Sequence, residues 1–180
     1  MSVLENVMVG MHGQTRCELW QALLRTPAQR AEEQSIARAA RDALEFVGLL
    51  NVSSVPAGTQ PHGTQRLIEI ARAFVAKPSL LLLDEPAAGL NRVECCRLVD
   101  LMRVIRASGI TIMLVEHHMD VVMPICDRIT VLNYGQRLAD GTPSEIGQHP
   151  EVIKAYLGGG LTQISRRERT QASEVAHAAP

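Results

Sequence analysis

Residues 80–91 read LLLLDEPAAGLN. Four leucines run straight into two carboxylates, Asp84 and Glu85, and a proline closes the run. Acids side by side at the end of an apolar segment suit two tasks. One can hold a divalent cation, usually through water, and the other can orient or deprotonate an attacking water. A second apolar run, ITIMLVE at 110–116, also ends in an acid, Glu116, and His117 follows it. An imidazole at that place can hydrogen-bond a phosphate oxygen and a water at once. His118 is adjacent and is expected to point elsewhere. A third stretch, HGTQRLIEIARAF at 62–74, opens a helix near Gly63. A glycine there lets backbone approach a ligand closely, and the first N–H groups and positive dipole end of the helix favour an anion. Each stretch also has a plainer reading: solvated acids at a strand end, an exposed or capping histidine, and an amphipathic helix with a glycine start.

The elements that must position these residues follow from pattern. LLLLDE and ITIMLVE are short, continuously apolar and bounded by turn signals, which predicts strands buried on both faces. RITVLNYG at 128–135 predicts a third strand, with QRLADGT at 136–142 as its hairpin partner. A helix is expected from Thr26-Pro27 to Phe46, with Ile36, Ala40, Ala43, Leu44 and Val47 on one face and Gly48 near its stop. Val3 to Val9 reads as a short helix, and NVSSVPAGTQPHG at 51–63 reads as loop. Asn91 followed by Glu94 resembles a helix cap with its reciprocal acid, leading a helix to Gly109. A short helix is expected from His118 to about Cys126, and a partly helical segment over 143–157. Gly158–Gly160 breaks that segment, and the polar residues after it predict a flexible tail over 158–180. Strands alternating with helices predict an α/β fold with a parallel sheet covered by helices.

Composition sets the frame. The chain has 180 residues, enough for one domain with a real core. A formal net charge of −1 gives no argument for nucleic-acid binding, and 3% aromatics gives little material for base stacking. No apolar run approaches the roughly 20 residues of a membrane span, and MSVLENVMVG lacks a basic leader with an apolar signal core. Cys17, Cys95, Cys96 and Cys126 form no C-x-x-C pair and read as reduced thiols. No internal repeat is present at solenoid periods.

Taken in order, VLENVMVG, EIARAF, LLLLDEPAAGLN, EH, CDRITVLNYG and VIKAYLG resemble the nucleotide-binding subunit of ABC transporters, in the branch that serves branched-chain amino acid importers. Residues 2–157 are similar to the C-terminal two-thirds of such a domain. The resemblance implies a partial P-loop NTPase fold: a helical subdomain with the signature helix over about 1–77, and a parallel-sheet core, missing its N-terminal strands, over 78–157. It implies ATP and Mg²⁺ as cofactors. Asp84 resembles the Walker B aspartate that holds the metal, Glu85 the catalytic glutamate that polarises water, and His117 the switch histidine that senses the γ-phosphate. Ala88 to Asn91 resembles the D-loop that couples two subunits, with Asn91 where an aspartate is common elsewhere. Gln60 to Gln65 resembles the signature segment, so Gly63, Thr64 and Gln65 would contact nucleotide. The implied partners are a second ATPase subunit, transmembrane permease subunits and, indirectly, a periplasmic solute-binding protein. The implied location is cytoplasmic, peripheral on the inner face of the plasma membrane.

Two departures bear on activity. The usual LSGGQ reads Gln-Pro-His-Gly-Thr here, and Pro61 stands where a serine hydroxyl is expected, so contact with a partner's nucleotide should be weakened. No G-x-x-x-x-G-K-[ST] occurs in the chain, and the adenine-stacking aromatic and metal-contacting glutamine of the family would lie upstream of SVLENV. The expectation is therefore a fragment carrying one half of a site, inactive in hydrolysis when alone. Without its missing neighbours the leucine strand should lose cover, at a cost of about 5 kcal/mol or more. The alternative readings are a non-catalytic interaction module that completes one site of an intact subunit, and an inactive remnant.

Overall fold

The computed structural model describes residues 1–14 and 27–157. Thr26, Cys17 and the expected tail over 158–180 lie outside the described residues. The chain divides into two compact units, 1–121 and 122–180.

In the first unit, helix α1 (Val3–Met8) starts on Ser2, whose hydroxyl accepts the Glu5 N–H while Glu5 reaches back to the Ser2 N–H at 2.7 Å. This reciprocal pair satisfies two of the donors that a helix start leaves orphaned. The loop 48–60 is tied to the N-terminus by backbone bonds, Val3 N–H to the Val55 carbonyl and Ala57 N–H to the Met1 carbonyl. A 3₁₀ turn follows α1 over Val9–Gln14. Its Gly10 is required by close approach: a Cβ there would lie 1.9 Å from the Arg72 carbonyl oxygen.

Helix α2 (Pro27–Phe46) and helix α3 (His62–Phe74) pack on α1. The face read from the sequence is the buried one: Ala40, Ala43, Leu44 and Val47 join Val3, Val7, Ile68 and Ala71 in one core, with Ile36 half-buried. Phe46 and Phe74 stack beside it with centroids 4.5 Å apart. Gly48 ends α2 with φ +74, a left-handed conformation that favours glycine.

Strand β1 (Leu80–Asp84) pairs in parallel with β2 (Thr111–Val115), and helix α4 (Arg92–Ala107) connects them. The α4 face Leu98, Val99, Met102 and Ile105 is buried. Asn91 caps α4 as expected: its Oδ1 accepts the Val93 and Glu94 N–H groups, and Glu94 returns to the Asn91 N–H at 2.9 Å. The short helix α5 (Met119–Val122) follows β2 in the chain.

Two expectations about the sheet are corrected. The strands are not buried on both faces. Leu81 is buried, but Leu80, Leu82, Met113 and Val115 share one face in register and remain 48%, 65%, 59% and 54% exposed. The third strand does not extend the parallel sheet either. Strand β3 (Ile129–Asn133), in the second unit, pairs antiparallel with β4 (Gln136–Gly141), and among the described residues each sheet has two strands. A two-residue turn at Tyr134-Gly135, both with positive φ, joins β3 to β4 locally. Helix α6 (Pro143–Gln148) then starts on Thr142 with a capping box, and α7 (Pro150–Val152) follows.

Candidate functional site

The parallel pairing of β1 with β2 brings two acidic strand ends together. Asp84 lies opposite Val115, so the chain leaves both strands at one edge. Ligands bind beyond the carboxyl ends of strands in sheets of this kind. Asp84 is exposed there. Glu85 follows with φ +44, a left-handed conformation that costs a non-glycine residue energy, and its N–H is held by the Val115 carbonyl at 2.9 Å. His117 comes off the neighbouring strand, and its Nδ1 lies 3.6 Å from Glu85 Oε1. Both side chains are 56% exposed. Asp84, Glu85 and His117, singled out from separate stretches, therefore occupy one edge.

Glu116 organises this edge, and it was not read as a site residue. Its side chain is fully buried. One oxygen, Oε1, accepts the Ala87 N–H at 2.9 Å. The other, Oε2, accepts the His117 N–H at 2.9 Å, the His118 N–H at 3.1 Å and the His118 ring at 2.9 Å. Burial pushes the Glu116 carboxyl up, but these hydrogen bonds, the His118 ring first, outweigh it and hold the carboxyl below the ordinary glutamate range. The sequence signal was a glutamate at the end of an apolar strand directly before two histidines. Its partner Ala87 belongs to the other strand's loop and could not be read from spacing.

His118 does not point elsewhere. Its ring lies against that of His117, centroids 4.1 Å apart, because the strand's alternation has ended and one carboxylate holds both residues.

The α3 residues form a second set. The helix begins at His62, one residue before Gly63, and Pro61 offers no side-chain cap, so N–H groups of the first turn stay open. Gly63 is buried against Glu94: a Cβ there would sit 2.4 Å from Glu94 Oε1. Gly63, Thr64, Leu67, Leu90, Glu94 and Leu98 line a shallow groove between α3 and α4. Gln65 turns back on its own segment and donates to the Gln60 carbonyl at 2.8 Å. Asn91 is engaged in capping α4 through Oδ1. The two sets are joined by the loop 85–91, where the His62 ring bonds the Ala88 carbonyl at 3.1 Å and the Ala88 N–H bonds the Glu85 carbonyl at 3.1 Å.

With this geometry in place, the likenesses to known proteins are informative. Residues 2–88 match the ABC transporter family, and residues 136–162 match the C-terminal family of the branched-chain amino acid ATP-binding cassette transporter. These matches place its likeness in the ABC transporter family. Within it, the chain is 48% identical over 160 residues to the high-affinity branched-chain amino acid transport ATP-binding protein LivG of Salmonella typhimurium, covering 88% of this chain and 62% of that protein. It is 43% identical over 159 residues to BraF, the protein of the same description in Pseudomonas aeruginosa, with 88% and 62% covered. The chain thus spans about three fifths of the length of these curated relatives. Among solved structures, the ADP conformation of MJ1267, an ATP-binding cassette of an ABC transporter, superposes with a TM-score of 0.70 at 28% identity, covering 88% of this chain and 63% of that one. The fold is accordingly part of an ABC ATPase domain. Among the described residues no helix is long and apolar enough to cross a membrane.

Proposed function

We propose that this chain is the ATP-hydrolysing part of an ABC importer's ATP-binding subunit, serving branched-chain amino acids. The observation that supports it most is the convergence of Glu85 and His117 on one strand edge, 3.6 Å apart, in a chain 48% identical to LivG. In this reading residues 1–77 are the helical subdomain, 78–157 the remainder of the catalytic core, and 158–180 a tail.

The residues present fit Mg-ATP on one side. Asp84, exposed at the strand end, would hold Mg²⁺ through water, and the ion would neutralise charge on the transferring phosphoryl group. Glu85 orients and deprotonates the attacking water. His117 reads the γ-phosphate from the neighbouring strand. Glu116 fixes the backbone of both loops so that these side chains start from one frame. Gly63, Thr64 and Gln65 offer the open helix start to nucleotide held by a second subunit, and Asn91 ends the loop that couples the two sites. Pro61 brings no hydroxyl to that contact. The backbone cradle for the phosphates is not among these residues. The working assembly is two such subunits on transmembrane permease subunits, at the cytoplasmic face of the membrane, with a periplasmic solute-binding protein delivering the solute.

The test is transport. A chimera is built in which this chain replaces the matching three fifths of LivG, and it is expressed in cells lacking LivG. Uptake of labelled leucine should return. Correct assembly on the permease without uptake would refute the reading.

A further inference from the structure

The edge that carries Glu85 and His117 holds three metal-ligand atoms, one each from Glu116, His117 and His118, all within 4.8 Å of one another. Glu116 Oε2 lies 2.9 Å from His118 Nδ1 and 3.8 Å from His117 Nδ1, and His117 Nδ1 lies 3.6 Å from Glu85 Oε1. Two of these distances are too long for hydrogen bonds. The two Glu116 distances bracket the edge of about 3.4 Å expected between ligands of a tetrahedral ion bound at roughly 2.05 Å. We infer that Glu116, His117 and His118 form a binding site for a zinc-like transition cation.

Three features support the inference. The outer contacts of a metal ligand are already built: Glu116 is buried, its Oε1 is fixed by the Ala87 N–H, and the His117 and His118 N–H groups fix its Oε2. Ligating carboxylates are oriented by such hydrogen bonds. The two rings sit on consecutive residues, tilted 37° to each other, with both Nδ1 atoms close to the same oxygen. His117 and His118 are exposed enough for an ion to enter from solvent, and with three protein ligands the fourth tetrahedral position is left to water. On binding, His118 loses the proton at Nδ1 and takes one from solvent at Nε2, so the ring stays neutral and Nδ1 turns from the Glu116 hydrogen bond to the ion. Two imidazoles select Zn²⁺, Co²⁺, Ni²⁺ or Cu²⁺ over Mg²⁺, which prefers an all-oxygen shell.

The site shares His117 with the proposed hydrolytic role but does not depend on it, because binding is measured with no nucleotide present. The probe is Co²⁺ titrated into the purified chain and followed by visible absorption. The expected result is saturable ligand-field absorption without the near-ultraviolet thiolate band that cysteine ligation would give. Zn²⁺ should bleach it and excess Mg²⁺ should not. His117→Ala and His118→Ala should each weaken Co²⁺ binding at least about tenfold, and Cys96→Ser should leave it unchanged. Circular dichroism checks that these variants keep their fold. Absence of saturable binding, a dominant thiolate band, or unchanged affinity in the His117→Ala/His118→Ala chain would overturn the inference.

Discussion

Glu116 and Ala87 are 29 residues apart in sequence, yet the Ala87 N–H donates to Glu116 Oε1 at 2.9 Å. This bond ties the loop after β1 to the loop after β2, because the same carboxylate's second oxygen holds His117 and His118. Glu116→Gln tests the tie. A glutamine has one acceptor oxygen, so either Ala87 or the histidine N–H groups must face its NH₂. A buried donor left unpaired costs about 1–3 kcal/mol. Urea denaturation should show that loss, and amide hydrogen exchange at 87, or at 117 and 118, should accelerate.

The pH dependence of the same tie has a definite sign. Hydrogen bonds hold the folded Glu116 carboxyl below the ordinary glutamate value of about 4.3. The unfolded chain therefore takes up its proton first as pH falls. The contribution of Glu116 is present in full above that ordinary value and is lost as pH drops through the lower, folded one. Stability measured against pH should fall less on the acid side in Glu116→Gln than in the parent chain, and the two curves should converge.

Glu85 adopts φ +44, which suits glycine. Relief of the left-handed strain, about 1–2 kcal/mol, exceeds the entropy glycine adds to the unfolded chain, about 0.4–1 kcal/mol. Glu85→Gly should therefore raise stability by about 0.5–1 kcal/mol. A thermal melt checks it: a higher midpoint is expected, and a lower one would show that the Glu85 side chain supports the fold.

Gly63→Ala should act through Glu94. The new methyl would meet Glu94 Oε1 at 2.4 Å, and moving that side chain breaks its bond to the Asn91 N–H at the start of α4. Loss of a cap costs about 0.5–2 kcal/mol. A double-mutant cycle separates this from a general packing effect: Gly63→Ala should cost much less in a Glu94→Ala background.

The exposed face of β1 and β2 predicts solution behaviour. Leu82 and Met113 lie opposite each other in register and are 65% and 59% exposed. Contiguous apolar surface on a short, unpartnered sheet favours self-association. Leu82→Thr with Met113→Thr should lower light scattering of the purified chain, with stability changed by no more than about 0.5 kcal/mol.

Much of this was legible in the sequence because it is local. Caps such as Asn91 with Glu94, the α2 face through Ala40 and Leu44, and the apolar strands ending in acids all depend on residues within a few positions of each other. Asp84, Glu85 and His117 could be placed at one edge because parallel strands align their ends. What escaped depends on long-range partners. Leucine runs in β1 imply burial on both faces, but whether an element covers Leu82 is decided elsewhere in the chain. The pairing of β3 with β4 was legible because the tight Tyr134-Gly135 turn is local, whereas whether β3 joins the parallel sheet required a contact with no local signal. Glu116 looked like one more strand-end acid because its partner Ala87 sits in another loop, and His118 was misplaced because strand alternation was carried past the end of β2.

The central claim is that Glu85 and His117 act on an ATP-derived phosphate at this strand edge. ATP turnover by the LivG chimera, assembled with its permease, tests it most directly. The account predicts that Glu85→Gln lowers turnover by about 10²–10⁴-fold while nucleotide binding is kept. Turnover in Glu85→Gln equal to that of the parent chimera would contradict it.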